Sequence, residues 1–186
     1  MQNEEWRKTA PEDHAATQNA YSIRQAKPDD LSIAFPLVAE YFREIEVIVQ
    51  DSKEEFADYL NSDSAGVWLA FASDAPVGCI ILRGLNSPPA SGEVKRLYVR
   101  ASHRKRGLAD RLLRTLEQHA IKVGYEWLYL DSKDDLANAI RFYKRHGYEC
   151  CDRYNSNPQA TIFMRKQLFP GWPERRLTDG SGSPGK

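Results

Sequence analysis

Apolar residues recur along the middle of the chain with two different periods, and the polar stretches between them mark out the elements. Tyr21–Gln25 alternates and predicts a short strand. Asp29 is placed to cap a helix reaching about Ile45, which Pro36 should kink or divide. Ser52 and Glu55 have the spacing of a capping box and open a second helix to about Leu60. Val67–Ala72 and Val77–Arg83 are apolar runs joined by Ser73-Asp74-Ala75-Pro76, which predicts a hairpin, and Glu93–Val99 is the next strand. Leu108, Leu112, Leu113, Leu116 and Ala120 share one face at the helical period, and that helix should stop near Gly124. A strand over Trp127–Asp131 and a helix over Leu136–His146, ended by Gly147, come next. Tyr148–Tyr154 and Thr161–Leu168 read as closing strands. The order predicts an α/β fold, a mixed sheet with helices on both faces.

The ends differ from this middle. Residues 1–20 are polar and aperiodic and predict a flexible arm; residues 169–186 are rich in Gly, Pro and Ser and predict a flexible tail. A single domain over 21–168 is expected. Hydrophobic residues make up 41% and charged residues 28%, an ordinary globular balance, and Lys+Arg and Asp+Glu both number 26. Zero net charge argues against a dedicated nucleic-acid binder. The chain has neither a long apolar run nor a signal-peptide pattern, so the expectation is a cytoplasmic protein with no membrane contact. Three cysteines without metal-ligand spacing suggest reduced, mostly buried thiols and no metal site. His103, His119 and His146 are isolated and read as structural or solvated. Phe42, Trp68 and Phe71 read as core.

Candidate chemistry begins at Arg104-Lys105-Arg106-Gly107-Leu108-Ala109, set between the strand Glu93–Val99 and the long amphipathic helix. A helix start leaves backbone N–H groups without intrahelical partners, and its dipole favours negative charge. Gly107 admits close approach of a ligand, and three basic side chains surround it, so the turn suits a pyrophosphate. It lacks the Gly-Lys-Ser/Thr end of a P-loop and two of the three glycines of the dinucleotide fingerprint. Arg83 ends an apolar strand, where alternation sets it on one face with Val77, Cys79 and Ile81. It needs a partner or an exit to water; it and Arg96 are candidate clamps for a substrate carboxylate, or rim residues in structural ion pairs.

The turn resembles motif A of the GNAT acetyltransferase superfamily, Arg/Gln-x-x-Gly-x-Gly/Ala, with Arg104, Gly107 and Ala109 at the motif positions. Asn138-Ala-Ile-Arg-Phe-Tyr143-Lys-Arg-His-Gly147-Tyr148 resembles the same family's Asn-x-x-x-x-Tyr-x-x-x-Gly-Phe/Tyr, and the element order over 21–168 is similar too. The run Glu-Val-Lys-Arg-Leu-Tyr-Val-Arg and the later Tyr154-Asn-Ser-Asn-Pro158 look like one bacterial subgroup. Departures are Ala101 for a usual proline, Lys105 where glycine is frequent, and Ala109 for the last glycine.

The resemblance implies a mostly antiparallel central sheet and acetyl-CoA as cosubstrate. It assigns the pyrophosphate to residues 104–109, including Lys105, Arg106 and Leu108. It implies that Val99 pairs with the pantetheine amides, that Asn138 touches the same arm, and that the Leu97 N–H supports the oxyanion. Tyr143 is implied as general acid on the leaving thiolate and Glu93 as general base, directly or through water. Tyr41 is a core residue or part of the acceptor wall, and Tyr154 is a further acceptor-side candidate. The expected function is acetyl transfer to a primary amine of a small molecule, with a carboxylate on the acceptor if Arg83 or Arg96 faces the pocket. Members that dimerise make a homodimer a partner to consider. The alternatives are a protein N-terminal or lysine acetyltransferase, and a non-catalytic acyl-CoA sensor on the same fold.

Overall fold

The computed structural model describes residues 20–46, 48 and 50–168. The expected arm, apart from Ala20, and the expected tail lie outside the described residues. Strands β1 (Tyr21–Gln25), β2 (Gly66–Ala72), β3 (Ala75–Leu85), β4 (Ser91–Val99), β5 (Trp127–Ser132), β6 (Glu149–Cys150) and β7 (Ile162–Gln167) form one sheet in the order β1-β2-β3-β4-β5-β7-β6. Every pairing is antiparallel except that of β4 with β5. The helices are α1 (Leu31–Glu44), α2 (Lys53–Leu60), α3 (Leu108–Lys122) and α4 (Ala137–Arg145).

Helices cover both faces, as the alternating pattern predicts. On one face Leu37, Val38 and Phe42 of α1 and Phe56 of α2 pack on Val67, Leu69, Cys79 and Ile81. On the other, Leu108, Leu112, Leu113 and Leu116 of α3 pack with Tyr143 of α4 on Ile80, Leu82, Val94 and Leu128. Each fully buried Leu, Val, Ile or Phe among them contributes roughly 1.5–3 kcal/mol. Phe42, Trp68 and Phe71 are buried core residues.

Several local expectations need correction. Asp30, not Asp29, occupies the N-cap of α1. Its carboxylate accepts the Lys27 N–H at 2.8 Å and is fixed by Arg24 at 2.7 Å, closing a short 3-10 turn over Pro28–Asp30. Pro36 does not divide the helix, which runs through it. The hairpin turn is shorter than expected: β3 already starts at Ala75, with Ser73 at φ 53° carrying the reversal. Val77 is on the α3 face, apart from Cys79 and Ile81, because β3 bulges there: Gly78 faces Ala70 while Pro76 faces Phe71. The strand expected over Tyr148–Tyr154 is reduced to Glu149–Cys150. Beyond Cys151 the chain leaves the sheet, and Arg153 instead donates to the carbonyls of Asn157 and Ala160 at 3.1 and 3.0 Å. Cys150 is exposed, contrary to the expectation of mostly buried thiols, because that short strand is at the sheet edge.

The capping box of α2 forms as predicted: Ser52 Oγ accepts the Glu55 N–H at 3.1 Å, and Glu55 accepts the Ser52 N–H at 2.7 Å. α4 ends in a Schellman arrangement at Gly147 (φ 85°), with the Tyr148 N–H reaching the Tyr143 carbonyl at 3.1 Å and the Gly147 N–H reaching Lys144 at 3.0 Å. A side chain at 147 would strain this left-handed turn. α3 closes in the same way on Ala120 and Ile121.

Candidate active site

β4 and β5 pair only at Ser91–Trp127, Gly92–Leu128 and Glu93–Tyr129. Beyond Glu93 the strands part. β5 keeps its register with β7 as far as Ser132, while β4 follows β3. β4 also carries an extra residue: Cys79 faces Tyr98 but Ile81 faces Lys95, and Arg96 takes φ 55° to absorb it. Such a bulge bends a strand and leaves its ladder locally unpaired. The edge of β4 from Val94 to Val99, unpaired with β5, lines a cavity of about 940 Å³, with Tyr143 and Asn138 of α4 and Tyr41 of α1 among the other lining residues. Backbone groups on such an edge need partners, and an extended amide-bearing arm can supply them as an added strand would.

The deepest charged group in this cavity is Glu93, 2% exposed. Its Oε2 is ion-paired with Arg83. Its Oε1 accepts from Tyr154 Oη at 2.8 Å and from Asn155 Nδ2 at 3.1 Å. A carboxylate has about four acceptor positions, so these contacts leave one, on the buried Oε2. Asn155 Nδ2 also donates to Asp131 Oδ2 at 2.6 Å, and Asn157 Nδ2 donates to Asp131 Oδ1 at 3.2 Å. Arg83 is 39% exposed along its side chain, so part of its guanidinium faces the cavity, while its Nε is buried without a hydrogen-bond partner among the described residues. Arg96 is committed to Asp51 (3.0 Å) and stacks over Phe42 at 4.8 Å and Tyr41 at 5.7 Å. Lys95 reaches Asp51 only at 3.7 Å, and burial pulls its ammonium pKa below the ordinary value.

Tyr143 is buried, ringed by Phe142 and Tyr148 at 5.3 and 5.4 Å. Burial, ahead of the nearby Tyr41 and Asp131, raises its phenol well above the usual value near 10, so it stays protonated. Asn138, one turn earlier and exposed, accepts from Arg141 at 2.5 Å. At the far end of β4 the Val99 carbonyl accepts Arg104 Nε at 2.7 Å, and the same guanidinium is paired with Glu44. The turn then runs through Lys105 at φ 60° and Gly107 at φ 73° into α3. Arg104, Lys105 and Arg106 are exposed, and nothing stands within 4 Å of where a Gly107 Cβ would be. Free helix N–H groups, an open glycine and exposed cations fit a pyrophosphate on this turn. Lys105 thus holds the left-handed conformation that explains why glycine suits its position.

Arg83, Glu93, Arg96, Leu97, Val99, Tyr41, Arg104, Ala109, Asn138 and Tyr143 therefore share one cavity. Lys105, Arg106, Gly107 and Leu108 are on the turn beyond its lining, and Tyr154 is behind Glu93 rather than on the wall. Sequence reasoning missed Asp131, Asn155 and Asp51. Asp131 had a signal: it is next to last in β5, and the carboxyl ends of parallel strands border ligand sites. His146, treated as lacking an acidic partner, has one in space: Nε2 is 3.1 Å from Asp110 Oδ1, and Nδ1 is 2.9 Å from the Phe142 carbonyl.

Residues 31–148 match the acetyltransferase (GNAT) family. An uncharacterized N-acetyltransferase of Schizosaccharomyces pombe is 30% identical over 148 residues, spanning 76% of this chain and 90% of the relative. The uncharacterized N-acetyltransferase YsnE of Bacillus subtilis is 32% identical over 106 residues, 54% of this chain and 68% of its own. The solved PaiA N-acetyltransferase of Thermoplasma acidophilum in complex with coenzyme A superposes with a TM-score of 0.66 at 19% identity, covering 79% of this chain and 98% of that one, a likeness of fold.

Proposed function

The chain belongs to the GNAT acetyltransferase family, and we propose that within it this protein acetylates the primary amine of a small, carboxylate-bearing molecule. The observation that carries this reading is the wedge between β4 and β5. One cavity there is lined by the free β4 edge, a buried carboxylate at its root and a protonated phenol on its wall.

Acetyl-CoA supplies the activated thioester. Lys105, Arg106 and the first N–H groups of α3, from Leu108 and Ala109, take the pyrophosphate, with Arg104 beside them. Val99 and Asn138 engage the pantetheine arm. Glu93 receives the amine proton, directly or through one water at its remaining acceptor position. The Leu97 N–H, next to the bulge at Arg96, is oriented toward developing oxyanion charge. Tyr143 gives its proton to the departing thiolate and is reprotonated from solvent. Arg83 has donors to spare for an acceptor carboxylate, and Tyr41 forms the apolar side of that pocket. Arg96, already bound to Asp51, shapes the wall. Tyr154 and Arg83 hold Glu93 in place. Holding amine and thioester together contributes roughly 7–11 kcal/mol in favourable cases. No second reading has a specific observation in its favour.

The test is thiol release from acetyl-CoA across amino acids, polyamines, aminoglycosides and short peptides. Release with small amino acids, with an acceptor KM that Arg83→Ala raises beyond any fall in kcat from loosening Glu93, supports the reading. Release with peptides alone moves the acceptor to proteins, and acetyl-CoA binding without release from any amine points to a sensor.

A further inference from the structure

The loop from Tyr154 to Ala160 reaches back over the wedge, and one side chain in it touches both parting strands. Asn155 Nδ2 donates to Glu93 on β4 at 3.1 Å and to Asp131 on β5 at 2.6 Å. Its Oδ1 accepts the Asn157 N–H at 3.1 Å, which fixes which end of the amide is nitrogen. Both hydrogens of that nitrogen are then spent on carboxylates. The ladder continues outward. Asn157 Oδ1 accepts the Gln159 N–H at 3.1 Å, and Gln159 accepts the Ile48 N–H at 2.7 Å and donates to the Glu46 carbonyl at 3.3 Å. Side chains of one loop thus connect the Glu93 and Asp131 carboxyl groups to the segment between α1 and α2.

Resting on the acyltransferase reading above, we propose that Asn155 is a positioning residue: its single amide holds the Glu93 and Asp131 side chains side by side where β4 and β5 part. Two carboxylates within one hydrogen bond of the same nitrogen repel each other, and such pairs otherwise hold a shared proton. The charged and titratable groups facing Glu93 are Arg83 on β3, Lys95 on β4, Tyr59 on α2, Asp131 on β5 and Tyr154 in the loop. Among the described residues Arg83 is its ion-pair partner, and Asp131 has none. The neutral donor of Asn155 bridges the two side chains without a second cation, and so sets where the Glu93 carboxyl stands at the root of the wedge.

The experiment compares Asn155→Ala and the isosteric Asn155→Asp with wild type. The Glu93 carboxyl is followed by 13C NMR in the ligand-free protein, assigned with Glu93→Gln, and kcat/KM for thiol release is followed against pH. Removing the donor should raise the Glu93 midpoint by about one pH unit or more, and the acid limb of kcat/KM should move with it. Asn155→Asp, which adds a third carboxylate, should raise it further, and it carries the test if Asn155→Ala does not fold. The KM for acetyl-CoA should stay near wild type. A purely structural Asn155 would lower thermal stability and leave the midpoint in place, and an unmoved midpoint in a folded variant overturns the proposal. Absent thiol release by wild type would count against the acyltransferase reading alone, since the NMR midpoint still decides the role of Asn155.

Discussion

Glu93 and Tyr129 are the last paired position between β4 and β5, and the cavity opens directly beyond them. The sheet thus delivers a buried carboxylate to the root of the wedge by the same step that ends the pairing. What the wedge can do depends on groups reaching it from both sides, and these can be removed one at a time.

Tyr143→Phe keeps the ring that packs on Tyr148 and removes only the hydroxyl. If Tyr143 protonates the thiolate, kcat should fall by about 10²- to 10³-fold with little change in KM for acetyl-CoA. Because burial raises the phenol, wild-type kcat should show no alkaline loss from this group below pH about 10. Steady-state thiol release at several pH values checks both statements. An unchanged kcat in the variant removes Tyr143 from the chemistry.

Asp30 is held down to about 2 by its hydrogen bond to Arg24, against the opposing effect of burial, with help from the Lys27 N–H. A depressed carboxyl stabilises the fold above its unfolded pKa near 4, and this contribution is lost as pH falls through about 2. Arg24→Ala should therefore lower stability at neutral pH and flatten its dependence between those values. Urea unfolding at a series of acidic pH values would show it. Parallel curves for variant and wild type would exclude the linkage.

Cys79 is fully buried, and burial pushes its thiol up to about 12, whereas Cys150 is exposed and Cys151 intermediate. A disulfide reagent at neutral pH should modify Cys150 first, Cys151 more slowly, and Cys79 only on unfolding. Since this folded pKa is raised, the native state gains from the Cys79 thiol below its unfolded pKa near 9, and loses that gain as pH rises toward 12. Mass-resolved labelling reads the order, and rapid modification of Cys79 in native protein contradicts it.

Glu117 of α3 and Lys166 of β7 form a buried pair with both carboxylate oxygens at 2.8 Å, and Tyr148 adds a hydrogen bond at 3.2 Å. Glu117→Ala leaves the ammonium buried without this partner and should cost about 3–5 kcal/mol. Replacing both residues, as Glu117→Leu with Lys166→Met, should recover most of that loss. Chemical denaturation of the single and double variants decides it. A double variant as unstable as the single one would mean that the pair contributes net stability.

The sequence carried the layout well where one force dominated. The 3.6-residue face of α3 and the capping box at Ser52 and Glu55 could be read directly, because both depend on neighbours in the chain. Failures occurred where distant groups competed with local preference. Asp30 displaced Asp29 as a cap because Arg24 holds it. Tyr148–Tyr154 has strand composition, yet Glu93 and Asp131, far back in the chain, bind Tyr154 and Asn155 and draw the segment away from β7. In the cavity, Glu93 and Tyr143 were legible through motifs. Asp131, Asn155 and the Arg83–Glu93 pair depend on cross-strand register, which spacing along the chain does not encode.

The brevity of the β4–β5 pairing has a mechanical meaning. The sheet is two plates, β1 to β4 and β5 with β7 and β6, stitched along a seam of three residue pairs. Any force that prises the plates apart loads that seam, the Tyr154 and Asn155 hydrogen bonds to Glu93, and the α3 core packed on both plates. A ligand arm that pairs with the unpaired edge of β4 and also packs on β5 would lengthen the seam, and the loaded protein should then be stiffer there than the empty one. Amide exchange at Ser91–Glu93 is the gauge on which that stiffening would register.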